Sequence, residues 1–257
     1  MTTADKTNTM QELFNEALTR PGIISDAYSR FYEFSIGNSI LAYMQAGNQP
    51  IATYKKWQAL GRQVKRGAKA LELLVPITFK TDKDDENSDT ITLFKPVKRW
   101  FAYADTEGAE LVHELKTPDF NLEQALSNLS IEQEKFTESN YNVQGYAYKR
   151  VIAVNPTAKY PLKTSIHEMA HILLGHTTDS VITDTDTLTR DTKEVEAEGA
   201  TYLVMAILGH TQVLEESRGY IQYNLNRNSK EKIRINKIFS VADQIIKAGT
   251  INKGEEA

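Results

Sequence analysis

The sequence has no cysteine. That absence excludes disulfide staples, thiolate metal ligands and a cysteine nucleophile. The first residues, MTTADKTNTMQELF, have no apolar run behind a basic patch, so a secretory leader is not expected. No stretch approaches the apolar length of a membrane span. These absences together predict a cytoplasmic protein that does not engage membranes. An overall polycation is also excluded, since the formal net charge is -4. No internal repeat is apparent. What is there is the mixture of a soluble globular chain: 257 residues, 40% hydrophobic and 25% charged, long enough for two domains.

The charge is unevenly spread. Residues 51–80 hold seven cations against Glu72 alone, a local excess of +6. Residues 81–90, TDKDDENSDT, hold five anions against Lys83. Such local imbalance governs partner choice more than the total does.

Periodicity divides the chain. Residues 1–8 are polar and are expected to be unstructured. Thr9 with Glu12 fits a capping box, and Leu13, Phe14, Ala17 and Leu18 form an apolar stripe, which predicts a helix up to the Arg20-Pro21-Gly22 stop. A second helix is predicted over about 25–45 with Phe31, Phe34 and Leu41 inward. YKKWQALG reads as a short helix closed by Gly61. ALELLVPITF (70–79) and ITLFKPVKRWFAY (91–103) read as strands on either side of the solvated acidic loop. The polar segment 105–139 has one weak helix, 122–129, and contains the expected domain boundary. Two short strands follow, YNVQGYAY and RVIAVN. After them come a helix on HEMAHILLGH, a Thr/Asp-rich loop over 177–192 and an apolar helix over about 193–208 ending at Gly209. A final helix over about 230–248 is capped by Gly249, and the NKGEEA tail is expected to fray.

HEMAHILLGH carries the clearest chemistry. Residues four apart on a helix stand one above the other, so His167 and His171 share a face and can grip one ion. Glu168 lies beside them, positioned to act as a proton acceptor. Ile166, Met169, Ala170, Leu173 and Leu174 form the stripe that would bury the helix. The competing reading is a chance match in an amphipathic helix. Against it, the histidines stand beside the apolar stripe rather than inside it. RVIAVN also precedes the motif, where an edge strand would hold an extended peptide.

A catalytic zinc needs a third protein ligand and an open position. His176 lies past Gly175 and off the face, and His210 has no pattern around it. In KEVEAEGATYLV, Glu194 and Glu198 share a helical face, while Glu196 points elsewhere. Glu194 as ligand with Glu198 bonded to a histidine N–H would satisfy both carboxylates; the reverse assignment stays open, as does simple stabilisation of acids by the helix N-terminus. HEMAH followed by Glu194-Val195-Glu196-Ala197-Glu198 resembles the gluzincin metallopeptidases, most closely the ImmA/IrrE type and the C-terminal domain of ArdC-type antirestriction proteins. That resemblance covers roughly 140–225. It implies zinc bound by His167, His171 and Glu194, with Glu168 as catalytic base and Tyr220 or Tyr223 as candidate oxyanion donors.

The first half mixes cations with aromatics, the combination that holds single-stranded nucleic acid by phosphate contacts and base stacking. Candidate contacts are Lys55, Lys56, Trp57, Arg62, Lys65, Arg66, Lys69, Arg99 and Trp100. A solvated basic face with tryptophans in the core is the alternative. The run from Asn38 through Thr53, Trp57, Gly61, Val64, Arg66 and Gly67 resembles the single-stranded-DNA-binding domain of ArdC-type proteins over about 25–103. The resemblance implies an α+β chain: N-terminal helices with a β-hairpin sheet that bind single-stranded DNA over 1–120, and a zincin-like metallopeptidase domain over 135–250. Two functions follow. One is a DNA-binding antirestriction protein of a plasmid, conjugative element or phage. The other is a zinc endopeptidase that cuts a particular regulator protein.

Overall fold

The computed structural model describes residues 3–19, 22–31, 34–80, 90–111, 118–138, 142–177, 188–227 and 233–251. The acidic loop (81–89), most of the Thr/Asp-rich loop (178–187), the NKGEEA tail and the side chain of Phe31 lie outside what is described. In chain order the elements are α1 (Thr3–Thr19), α2 (Ile23–Phe31), α3 (Ile36–Ala46), β1 (Ile51–Thr53), α4 (Tyr54–Ala59), β2 (Arg62–Val64), β3 (Leu71–Lys80), β4 (Thr90–Ala102) and β5 (Thr106–Gly108). They continue with α5 (Leu122–Asn128), β6 (Glu132–Glu134), β7 (Gly145–Tyr148), β8 (Val151–Val154), α6 (Pro161–Leu173), α7 (Arg190–Ile207), α8 (Leu214–Arg227) and α9 (Ile235–Gly249). The class is α+β. No helix among the described residues is long and apolar enough to cross a membrane. Two compact units form: Asp26–Lys116, and Met1–Ser25 together with Thr117–Ala257.

In the Asp26–Lys116 unit, β4 lies between β1 and β3, antiparallel to both. The single helix expected over 25–45 is broken. Ser35 takes an extended backbone and its Oγ accepts from the Asn38 N–H, so α3 starts afresh at Ile36. Helix α3 then covers the outer edge of β3 through two side-chain amides. Asn38 accepts from the Leu74 N–H (2.9 Å) and donates to the Leu74 carbonyl (2.8 Å). Gln45 does the same at Glu72, at 3.0 and 2.8 Å. Each amide stands in for a neighbouring strand and closes an edge that would otherwise invite pairing. Ala42, Leu73 and Trp100 form the core beneath, with Phe34 and Leu41 packed against it.

The other unit has a three-stranded sheet with β8 central, parallel to β6 and antiparallel to β7. RVIAVN is therefore not the open strand; the edge belongs to β7. Helix α6 packs on β7 and β8, and α7 packs on α6, α8 and α9. Helix α1 begins at Thr3, not Thr9, and belongs to this unit rather than to the basic one. Its stripe of Leu13, Phe14, Ala17 and Leu18 is buried, with Phe14 edge-on to Phe239 and Ala17 O accepting from the Tyr202 hydroxyl. Helix α8 has no counterpart among the elements expected from the sequence. Gly249 is the last residue of α9 rather than its cap: a β-carbon there would meet the Phe120 ring at 2.2 Å, so its smallness is what matters.

Candidate metal centre and basic surface

Helix α6 starts with Pro161 at its first turn, where a missing N–H costs nothing. Ile166, Met169, Ala170 and Leu174 are buried as the stripe requires. Gly175, at φ 76°, ends the helix. Helix α7 is capped by Thr189, whose Oγ1 accepts from the Thr192 N–H, and it brings the glutamates across from α6.

These two helices converge on three donor groups. His167 Nε2 and His171 Nε2 are 3.1 Å apart, and Glu194 Oε2 lies 3.4 Å from the first and 3.6 Å from the second. Ligands set tetrahedrally around zinc at about 2.0–2.1 Å stand about 3.3–3.4 Å from one another. The observed triangle has that size, so the three residues fit one divalent ion. Among the described residues, His167, His171 and Glu194 are also the group whose ligand atoms cluster closely enough to hold a metal. Glu198 Oε2 comes within 3.1 Å of His167 Nδ1, at an angle that does not make a hydrogen bond. Its other oxygen is held by Lys163 Nζ at 2.7 Å and by the Ser217 hydroxyl.

The charges are tightly coupled. Burial alone would push His167 down, but the carboxylates of Glu194 and Glu198 outweigh it and hold the imidazole at about 9. The contacts with His167 and His171 press Glu194 well below the carboxylate range. Burial raises Glu198, yet His167 and Lys163 bring it to about 2. Glu168 goes the other way: it is buried, and desolvation lifts its carboxyl above the ordinary value.

Glu168, both histidines, Glu194 and Glu198 line a cavity of about 590 Å³. One wall is the edge strand β7, with Gly145, Tyr146 and Ala147. Tyr220 is 42% exposed and is not among the residues that line this cavity; burial, with the field of Glu194, raises its hydroxyl pKa. Tyr223 is more exposed still, at 62%. His210 lies outside the cluster.

The basic surface differs from the sequence expectation in three residues. Trp57 is fully buried and its Nε1 donates to the Phe101 carbonyl at 2.9 Å. Arg62 is buried too, with its guanidinium spent on Thr106 and on the Gly108 and Ala109 carbonyls, and stacked 4.0 Å from the Tyr103 ring centre. Trp100 is buried because the register slips: Leu71 pairs with Trp100 but Glu72 pairs with Lys98, leaving Arg99 as the extra residue of a bulge. Simple alternation would put Trp100 on the solvent face beside Lys98; the bulge turns it inward and sends Arg99 out. Lys55, Lys56, Lys65, Arg66, Lys69 and Arg99 are exposed. Among the described residues of this unit, Tyr54 and Phe94 are the exposed rings that can stack, at 41% and 53%.

Residues 11–112 match the family described as the N-terminal domain of anti-restriction factor ArdC. That stretch of the chain is similar to the ArdC type. A crystal structure of the antirestriction ArdC protein from the R388 plasmid, bound to Mn(II), aligns with 94% of this chain and 94% of its own at a TM-score of 0.54 and 19% identity. The metal-free structure of that protein aligns with 83% of this chain and 81% of its own, at a TM-score of 0.46 and 20% identity. No curated protein matches the sequence. Beside the site, sequence reasoning passes over two residues whose side chains are buried. Spacing puts His176 off the helical face and turns Glu196 elsewhere, yet His176 Nδ1 touches His171 Nδ1 and its Nε2 faces Glu196. A signal for the pair exists in the sequence: a carboxylate between Val195 and Ala197 in an apolar helix needs a cation nearby.

Proposed function

We propose that the protein is a cytoplasmic single-stranded-DNA-binding antirestriction protein whose second unit carries a divalent-metal centre of metallopeptidase type. The observation that carries the antirestriction reading is the match of residues 11–112 to the ArdC N-terminal domain. The exposed cations around α4 and β2 support the DNA-binding part, because they can follow phosphates while Tyr54 and Phe94 stack on bases. The metal part rests on the His167–His171–Glu194 triangle. Zinc suits that donor set, and the relative's Mn(II) makes manganese the competing ion.

A divalent ion held by His167, His171 and Glu194 would supply Lewis-acid activation of a carbonyl and a water. The remaining work belongs to this chain. Glu168, lifted toward neutrality by burial, accepts the proton of the attacking water and passes it to the leaving nitrogen. Among the described residues β8 is the strand partner of β7, and the other edge of β7 suits an extended peptide.

A second reading, a peptidase that acts by cutting a regulator protein, is favoured by the buried base beside an open edge strand. One experiment separates the two. Protection of incoming DNA from restriction is measured in cells carrying Glu168→Gln or the triple change Lys65→Ala, Arg66→Ala, Lys69→Ala. Under the first reading Glu168→Gln protects as well as wild type and the triple variant loses protection. Loss of protection in Glu168→Gln with the triple variant intact reverses the assignment.

A further inference from the structure

Glu196 has no exposed side-chain surface and the His176 side chain has 1%. Neither is a ligand in the triangle, and a buried carboxylate and imidazole are costly unless they do something. They form a line that ends on a ligand. His171 Nδ1 lies 3.0 Å from His176 Nδ1, on the side of the ring away from His167 and Glu194. His176 Nε2 lies 3.1 Å from Glu196 Oε2. Arg234 closes the line: its backbone N–H donates to Glu196 Oε1 at 2.7 Å, and its Nε and Nη2 donate to the same carboxylate at 3.0 and 2.6 Å.

We propose that His176, backed by Glu196 and Arg234, is a positioning residue that holds the His171 ring with Nδ1 protonated and the Nε2 lone pair turned to the metal. The inference rests on the metal reading above. A neutral imidazole donates through one ring nitrogen and accepts through the other. With Glu196 as a carboxylate, the His176 Nε2–H is the donor toward it. Its Nδ1 must then accept, and the proton it accepts is the one on His171 Nδ1. That leaves His171 Nε2 bare, as a ligand must be. The reverse order also has a geometry, since Arg234 Nη2 lies 3.2 Å from His176 Nε2. In that order His176 donates to His171, and His171 carries its proton on Nε2, where it blocks the ion. Arg234 has the charged carboxylate and the Leu174 carbonyl to donate to, which are better acceptors than an imidazole. On the other ligand, Glu198 Oε2 lies 3.1 Å from His167 Nδ1 without making a hydrogen bond to it. Within EVEAE, Glu194 would thus supply a ligand and Glu196 the backing for His171.

The test uses the full-length protein and zinc alone as probe. Zinc affinity is measured by calorimetry for wild type, His176→Leu and His176→Asn, and the His171 ring nitrogens are assigned by 15N NMR. Removing a residue that orients a metal ligand weakens binding about 10- to 100-fold. That loss is expected in His176→Leu, with most of it restored in His176→Asn, whose amide oxygen can again accept from His171. Wild type loaded with zinc should show His171 bound through Nε2 with a slowly exchanging proton on Nδ1. That reading needs no variant, so it decides even where His176→Leu fails to fold. Equal zinc affinity in all three proteins, or His171 bound through Nδ1, overturns this role and leaves the metal site standing. Absence of zinc binding by wild type overturns both.

Discussion

Gly145 and Glu168 meet at the cavity wall with no room for a side chain between them. A β-carbon on Gly145 would lie 3.1 Å from Glu168 Oε1, 3.0 Å from the Ala153 carbonyl and 2.7 Å from Thr164 Cγ2. The glycine of GYAY is therefore what lets the edge strand close on the buried carboxylate. Gly145→Ala is expected to cost about 1–3 kcal/mol through overpacking. Thr164→Ser removes the nearest obstructing methyl while keeping the hydroxyl that donates to the Tyr160 carbonyl. Urea unfolding of the two single variants and the double variant should show a smaller cost of Gly145→Ala when Thr164→Ser is already in place. Strict additivity would mean that the strand simply moves away.

Trp57 is expected to serve the fold and not the nucleic acid. Trp57→Phe loses the hydrogen bond to the Phe101 carbonyl and should lower stability by about 1 kcal/mol, while single-strand affinity stays within about twofold of wild type. Trp57→Ala should cost about 3–5 kcal/mol. Fluorescence-anisotropy titrations with a labelled oligonucleotide check the first statement. A collapse of affinity in Trp57→Phe with an unchanged melting midpoint would return Trp57 to the binding surface.

Legibility follows the range of the interactions. His167, His171 and Glu194 are readable because helical spacing fixes the first two, and a carboxylate on a buried helix stands out as the third. The strands β3 and β4 are readable from their composition. The bulge at Arg99 is not, since it depends on the partner strand, and so alternation alone puts Trp100 on the wrong face. The start of a new helix at Ser35 is hidden because apolar periodicity runs across it. The helical geometry that finds His171 also excludes His176. That residue returns to the site only because Gly175 turns the chain back, which puts its ring behind His171 rather than beside it.

Without an ion, His167 is held at about 9 against an ordinary 6.5. A raised histidine stabilises the fold fully below about pH 6.5 and loses that contribution as pH rises through about 9. An ion must displace the same proton. Zinc affinity is therefore expected to climb with pH between about 6.5 and 9, by up to about tenfold per unit, and to level off above. Calorimetry in buffers of different ionisation enthalpy should count close to one proton released per ion at about pH 7.5. Affinity that stays flat across this window would remove His167 from the ligand set.

Acid should expose the cost of the buried carboxylates. Burial works against ionised Glu196, but His176 and Arg234 bring it to about 2. A depressed carboxylate contributes stability above its unfolded value and loses it as pH falls through the folded one. The protein should thus lose on the order of a few kcal/mol between about pH 4.5 and 2, part from Glu196 and part from Glu198. Glu196→Gln starts from a lower stability, because Arg234 keeps a buried charge without its counterpart, yet it should show a shallower acid slope. Urea midpoints from about pH 6 to about pH 3 give both quantities. Parallel slopes for wild type and Glu196→Gln would mean that the carboxylate is protonated already.

The basic surface has its own signature in salt. Each phosphate neutralised on a single strand adds about 0.7 to the slope of log affinity against log salt. Lys65→Ala, Arg66→Ala and Lys69→Ala together should flatten that slope by up to about 2 and weaken binding at low salt more than at high salt. Lys65 donates to the Ala104 carbonyl at 2.9 Å, which draws part of its charge toward the fold, so its share should be the smallest of the three. Arg62→Lys makes the contrast, since that guanidinium is buried on Thr106 and is expected to change stability and leave the salt slope alone. The slopes are read from anisotropy titrations between about 50 and 300 mM salt, conditions over which about three phosphate contacts are readily counted. A triple variant with the wild-type slope would move the DNA to another face of this unit, and Arg99 with Phe94 on β4 would be the next surface to test.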